Sequence, residues 1–137
     1  MDLCESESYT TNVRDNIVID LELDLTTHDL ILSNFSFAVT QDKQTEITQR
    51  LKIKLLMFKG EWIHNINYGI DYYGQVFVKG IDLEDIDDMF RTEISNEQGV
   101  IDLSSYSSSF NSSTRELNIQ AKVLTDSGEI INLSFAI

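Results

Sequence analysis

The sequence predicts one small α+β domain with two main helices and an antiparallel sheet that ends in a C-terminal β-hairpin. Three observations carry this expectation. Apolar and polar residues alternate near both ends of the chain, the period of half-buried strands. Two central stretches instead repeat at spacings of three and four, which puts their apolar residues on one face of a helix. Asp126-Ser127-Gly128, a hairpin signal, separates the last two alternating runs.

Taken in order, residues 1–15 read as a flexible arm and 16–137 as the folded domain. In the first strand Ile17, Ile19, Leu21, Leu23 and Leu25 alternate with mostly polar residues. A turn is expected at 26–29, then a short extended piece at 30–32. From about Asp42 the period changes: Ile47, Leu51, Leu55 and Phe58 share a helix face, with Gly60 closing the helix or lying just beyond it. The stretch 60–80 is a long connection dense in aromatics (Trp62, Tyr68, Tyr72, Tyr73 and Phe77), with a strand expected at 75–78. A second helix over 82–95 carries the stripe Leu83, Ile86, Phe90 and Ile94. Asp82, Glu84 and Asp85 fall in its first turn, where negative charge suits the helix dipole. A strand begins at Val100 and runs toward Tyr106, followed by a serine-rich turn at 107–113. Leu117, Ile119, Ala121 and Val123 alternate in the next strand. Ile131, Leu133, Phe135 and Ile137 alternate in the last, which is expected to be an edge.

At 137 residues the chain suits one core and not two. Its formal charge of −13 argues against nucleic acid as a partner, since binding phosphates needs clustered Lys and Arg. No apolar run approaches the roughly 18 residues of a membrane span, and the acidic N-terminus has no signal-peptide pattern. These features predict a protein made in the cytoplasm and used there, or in something assembled there. A lone Cys4 makes no internal disulfide, so the fold rests on packing.

The catalytic inventory is thin. His28 and His64 lie in different segments, with no ligand-like spacing to another His or Cys, so neither a metal nor another cofactor is expected. Cys4 would need a base held beside it to act as a nucleophile. A carboxylate pair is the one enzymatic constellation to weigh. Glu61 beside Phe58 and Trp62 would suit a general acid if an apolar pocket raised its pKa, with Asp71 as second carboxylate. The blander reading is that Glu61 bonds backbone amides in a tight loop. The acidic cluster 82–88 lacks the glycine and spacing of a calcium loop and has a helical period. No enzyme is expected.

A resemblance adds what composition does not. Gln49-Arg50-Leu51, then Leu56-Met57-Phe58-Lys59-Gly60-Glu61-Trp62, then Asn67-Tyr68-Gly69-Ile70-Asp71-Tyr72 resembles the signature of phage tail baseplate wedge proteins, the sheath-initiator family of contractile tails that includes Mu-like baseplate assembly proteins. Gly99-Val100, Arg115-Glu116-Leu117 and Thr125-Asp126-Ser127-Gly128 follow in the family's order, so the resemblance spans about residues 16–137.

The resemblance implies a structural part of the virion, assembled in the host cytoplasm, with several copies around the tail axis. Its partners would be other baseplate wedge and hub proteins and the tail sheath protein, with no membrane and no nucleic acid. The family's glutamate-containing turn, implicated in wedge attachment, falls on Gly60 and Glu61. Trp62 stands where one branch of the family has a Pro-Arg pair, so contact there would be by stacking. Trp62, Tyr68 with Gly69, and Tyr72 are candidate anchors, or else cap the domain's own core. Ile131, Leu133, Phe135 and Ile137 are the expected edge for sheath docking by β-augmentation. Deleting 131–137 should then block assembly beyond the baseplate. The alternatives are an adaptor in a sheathless tail and a cell-wall glycoside hydrolase.

Overall fold

The computed structural model describes residues 20–137. In chain order its elements are β1 (Leu32–Ser33), β2 (Ser36–Phe37), α1 (Lys43–Leu56), a single π-helical turn (Tyr72–Val76), α2 (Leu83–Ser95), β3 (Val100–Asn111), β4 (Glu116–Thr125) and β5 (Ile130–Ala136). The arm expected at 1–15, with Cys4, lies outside the described residues.

The C-terminal alternation builds the main sheet, antiparallel in the order β3-β4-β5. Leu117, Ile119, Ala121 and Val123 of β4 are buried on one face. Ile119, Ala121 and Val123 sit opposite Phe135, Leu133 and Ile131 of β5, which are buried beside them. Asn118, Gln120, Lys122, Asn132 and Ser134 line the solvated face, as expected of an antiparallel sheet covered on one side. The cover is the helices. Ile47, Leu51 and Leu55 of α1 and Ile86, Phe90 and Ile94 of α2 meet the buried sheet residues in one core, with the rings of Phe90 and Phe135 5.8 Å apart.

Polar contacts fix how the layers sit. Arg50 of α1 pairs with Glu46 at 2.6 Å and with Glu97, just beyond α2, at 2.9 Å. Lys54 reaches Glu93 at 3.1 Å and Glu97 at 3.2 Å. Burial works against the Lys54 charge, but hydrogen bonds to Glu93 and Glu97 outweigh it and hold the ammonium above its usual pKa. On the other side of α2, Asp87 accepts from the hydroxyls of Tyr106 at 3.0 Å and Ser108 at 2.8 Å, which ties α2 to β3. At Gly99, φ is +91° and an added Cβ would stand 2.7 Å from Ile47 Cδ1, so a larger residue would be strained and would push the buried Ile47 side chain aside where β3 starts against α1.

Several expectations need correction. Leu21 and Leu23 make isolated bridges to Val39 and Leu30, not a full strand, and Leu25 lies in the turn that follows. Helix α1 stops at Leu56, with Met57 extended, so Phe58 leaves the helix to bridge Ile70, and of the two places expected for Gly60 it takes the one beyond the helix end. The strand expected at 75–78 is replaced by the π-helical turn. Asp71 caps that turn by accepting from the Gly74 N–H at 2.9 Å, and the Phe77 N–H donates to the Tyr72 carbonyl at 2.7 Å. Leu83, at the start of α2, is 39% exposed and not part of the buried stripe. The serines at 107–109 continue β3, which runs to Asn111 before turning.

Candidate partner-binding site

The loop between α1 and the π-helical turn is held by backbone bonds. The Ile70 N–H donates to the Met57 carbonyl and the Lys59 N–H to the Ile70 carbonyl, both at 2.8 Å. This parallel bridge needs glycine at 69. There φ is +97°, and a Cβ would fall 2.6 Å from the Met57 carbonyl oxygen. Gly60 also has positive φ, +98°, but faces open space. Glu61 is exposed, and its carboxylate accepts from the Phe58 N–H at 3.2 Å. Asp71 is spent on capping the π-helical turn. Each carboxylate of the weighed pair thus serves a local backbone turn. Glu61 also borders a cleft of ≈ 360 Å³ with Leu25, His28, Lys52 and Met57.

The three aromatic candidates part company. Trp62 is 42% exposed and meets Tyr68 edge-on, with ring centroids 5.3 Å apart. Tyr68 is half-buried, and burial followed by the nearby Glu97 carboxylate pushes its phenol pKa up. Tyr72 is 1% exposed. Its ring packs 4.6 Å from Phe58 and 5.6 Å from Phe77, and its hydroxyl donates to the Leu55 carbonyl. Burial raises the Tyr72 pKa well above the ordinary phenol range. Tyr72 is therefore a core ring, and the expectation that it meets a partner is corrected. Trp62 and Tyr68 remain accessible.

At the other candidate surface, β5 is the outer strand of its sheet, and no described strand pairs with its far side. Leu117 and Ile137 exchange both N–H···O bonds, at 2.9 and 3.0 Å. Strand alternation then turns the backbone groups of Phe135, Leu133 and Ile131 toward β4 as well. The side chains of these three residues fill the core, and that of Ile137 is half-buried. The expectation that these four residues form the open edge is corrected by one register step. Besides Ile130, whose carbonyl accepts from Gln44 Nε2 at 3.4 Å, the backbone N–H and C=O groups that point away from β4 belong to Asn132, Ser134 and Ala136. Sequence reasoning missed these three because it followed the apolar residues; the same period of two would have identified them. β5 has no charged residue, no proline and no bulge. The opposite rim is different: β3 has two register shifts, at Val100/Asp102 and Leu103/Ser105.

Among the described residues no three His, Cys, Asp or Glu side chains converge to hold a metal ion, and no helix is long and apolar enough to cross a membrane. No curated protein matches the chain. A family model does: that of the contractile injection system sheath initiator matches residues 19–128.

Proposed function

Because this chain belongs to the contractile injection system sheath initiator family, we propose that it starts the sheath by lending the outer edge of β5 to a strand of the first sheath subunit. In this reading the loop around Gly60, Glu61 and Trp62 fastens it to the baseplate wedge and hub. Its work is structural and its place is the tail baseplate.

The observation that carries the reading is the unguarded edge. Natural sheets protect an exposed rim with charges, proline, bulges or a covering element, because unpaired N–H and C=O groups template further pairing. β3 is interrupted by bulges and carries Asp102 in its first half. β5 has no charge, proline or bulge along its length, and only its first residue, Ile130, is covered, by Gln44 of α1, so its backbone from Asn132 to Ala136 is the surface best suited to take another strand. The attachment role is supported by Trp62, an accessible indole steadied edge-on by Tyr68, since a partly packed aromatic makes a low-entropy anchor.

The test is Ser134→Pro. Proline removes one outward N–H, and its ring sits where the side chain is already solvated, so β5 keeps its bonds to β4. Baseplates carrying this variant should assemble but grow no sheath, whereas Ser134→Ala baseplates should sheathe normally. Full-length sheaths on Ser134→Pro baseplates would refute strand addition. Deleting 131–137 is a poorer experiment, because it also strips Ile131, Leu133 and Phe135 from the core. For the loop, Trp62→Ala should leave the fold intact and weaken incorporation into the baseplate.

A further inference from the structure

Among the described residues, two apolar surfaces stand out beyond the loop and the β5 edge. The first is a finger. β1 and β2 form a hairpin whose two-residue tip, Asn34-Phe35, has φ of +50° and +62°. Hairpin tips with two positive φ values favour Asn-Gly, because a Cβ at the second position is disfavoured. Here that position holds a fully exposed phenylalanine, and Leu30, Leu32 and Phe37 beside it are exposed too. The fold is poorly served by an aromatic there, whereas an interface would be served well.

The second is a groove of ≈ 750 Å³ at the end of the sheet far from the β4–β5 hairpin, with Phe77, Val78, Leu83 and Phe110 along it. All four are exposed. No residue of 20–41 lines it, so the finger does not fill the groove of its own chain.

Charge says what fits. The chain has 10 basic and 23 acidic side chains, yet the groove is bordered by Lys79 and Arg115, neither of which is in an ion pair among the described residues. The segment that carries the finger has Asp20, Glu22, Asp24 and Asp29 and no Lys or Arg through Gln41. We propose that the finger of one copy, led by Phe35, seats in the Phe77–Phe110 groove of a second copy, with its carboxylates toward Lys79 and Arg115. Finger and groove are different patches, so the contact is heterologous and repeats head to tail. It does not depend on strand addition at β5.

The purified full chain tests this by sedimentation at about 0.15 M salt, where surface charges are screened beyond about 8 Å. Wild type should associate as its concentration rises. Phe35→Asp, which spoils the finger, and Phe110→Asp, which spoils the groove, should each be monomeric with unchanged circular dichroism. An equimolar mixture of the two should form dimers and stop there, because each supplies the half that the other lacks. The double variant Lys79→Glu/Arg115→Glu should associate at least about tenfold more weakly. If Phe110→Asp does not fold, Val78→Asp takes its place. A wild-type chain still monomeric at about 1 mM, single variants that associate like wild type, or a mixture that remains monomeric would each overturn the proposal.

Discussion

Gln49 holds Leu23 in place as a neighbouring strand would. Its Oε1 accepts from the Leu23 N–H at 2.8 Å, and its Nε2 donates to the Leu21 carbonyl, also at 2.8 Å. The amide is buried in α1 and fastens the segment that leads to the finger. Replacing it with leucine should leave both backbone groups unpaired at a cost of about 1–3 kcal/mol. Urea unfolding would read the loss, and faster amide exchange at Leu23 than in β4 would place it.

Asp42 caps α1 by accepting from the Thr45 N–H at 2.8 Å, and its carboxylate also takes the Thr45 hydroxyl at 2.8 Å. These bonds, the backbone one first, hold its pKa below the ordinary 3.8. A carboxyl whose folded pKa is lowered adds stability that is complete above the unfolded value and lost as pH falls through the folded one. Asp42→Ala should therefore cost about 0.5–1 kcal/mol at neutral pH. The two proteins should converge in stability as pH falls through the folded pKa of Asp42, as thermal melts across an acid series would show.

The two loop glycines should answer differently to the same change. Gly60→Ala meets only the backbone cost of positive φ, about 1–2 kcal/mol. Gly69→Ala meets that cost and also drives a methyl into the Met57 carbonyl, so it should destabilise more and open the Phe58–Ile70 bridge. Denaturation midpoints of the two variants, measured side by side, check the order.

Phe35→Gly should make the isolated chain more stable, by about 0.5–1 kcal/mol, because it relieves a left-handed residue that buries nothing. The same variant should lose self-association in sedimentation. Gain in one assay and loss in the other would separate the needs of the fold from those of the assembly.

Much of this architecture was legible because its apolar periods are long. Ile47, Leu51 and Leu55 stand at helical spacing, β4 and β5 alternate without interruption, and all of these are core. What failed was short or decided by tertiary contacts. Val76 and Phe77 look like strand residues in isolation, but the Asp71 cap and the burial of Tyr72 wind this piece into a π-helical turn. The serines before Phe110 look like a turn, yet pairing with β4 keeps them extended, and Asp87 gives Ser108 a partner. The candidate site was half-legible. Gln49, Gly69 and Gly99 carried the family resemblance, and in the structure each holds a segment in place. The residues that face outward, Ser134 and Phe35, belong to no motif.

The bulges in β3 bear on stoichiometry. A three-stranded sheet ordinarily offers two rims, and a strand seeking an uninterrupted ladder could choose either. With one rim kinked twice between Val100 and Ser105, a guest finds regular spacing along a whole strand on the β5 side alone, so each copy would admit a single full-length added strand. A ring of such copies would present as many docking places as it has members, and whatever is built upon it would inherit that number.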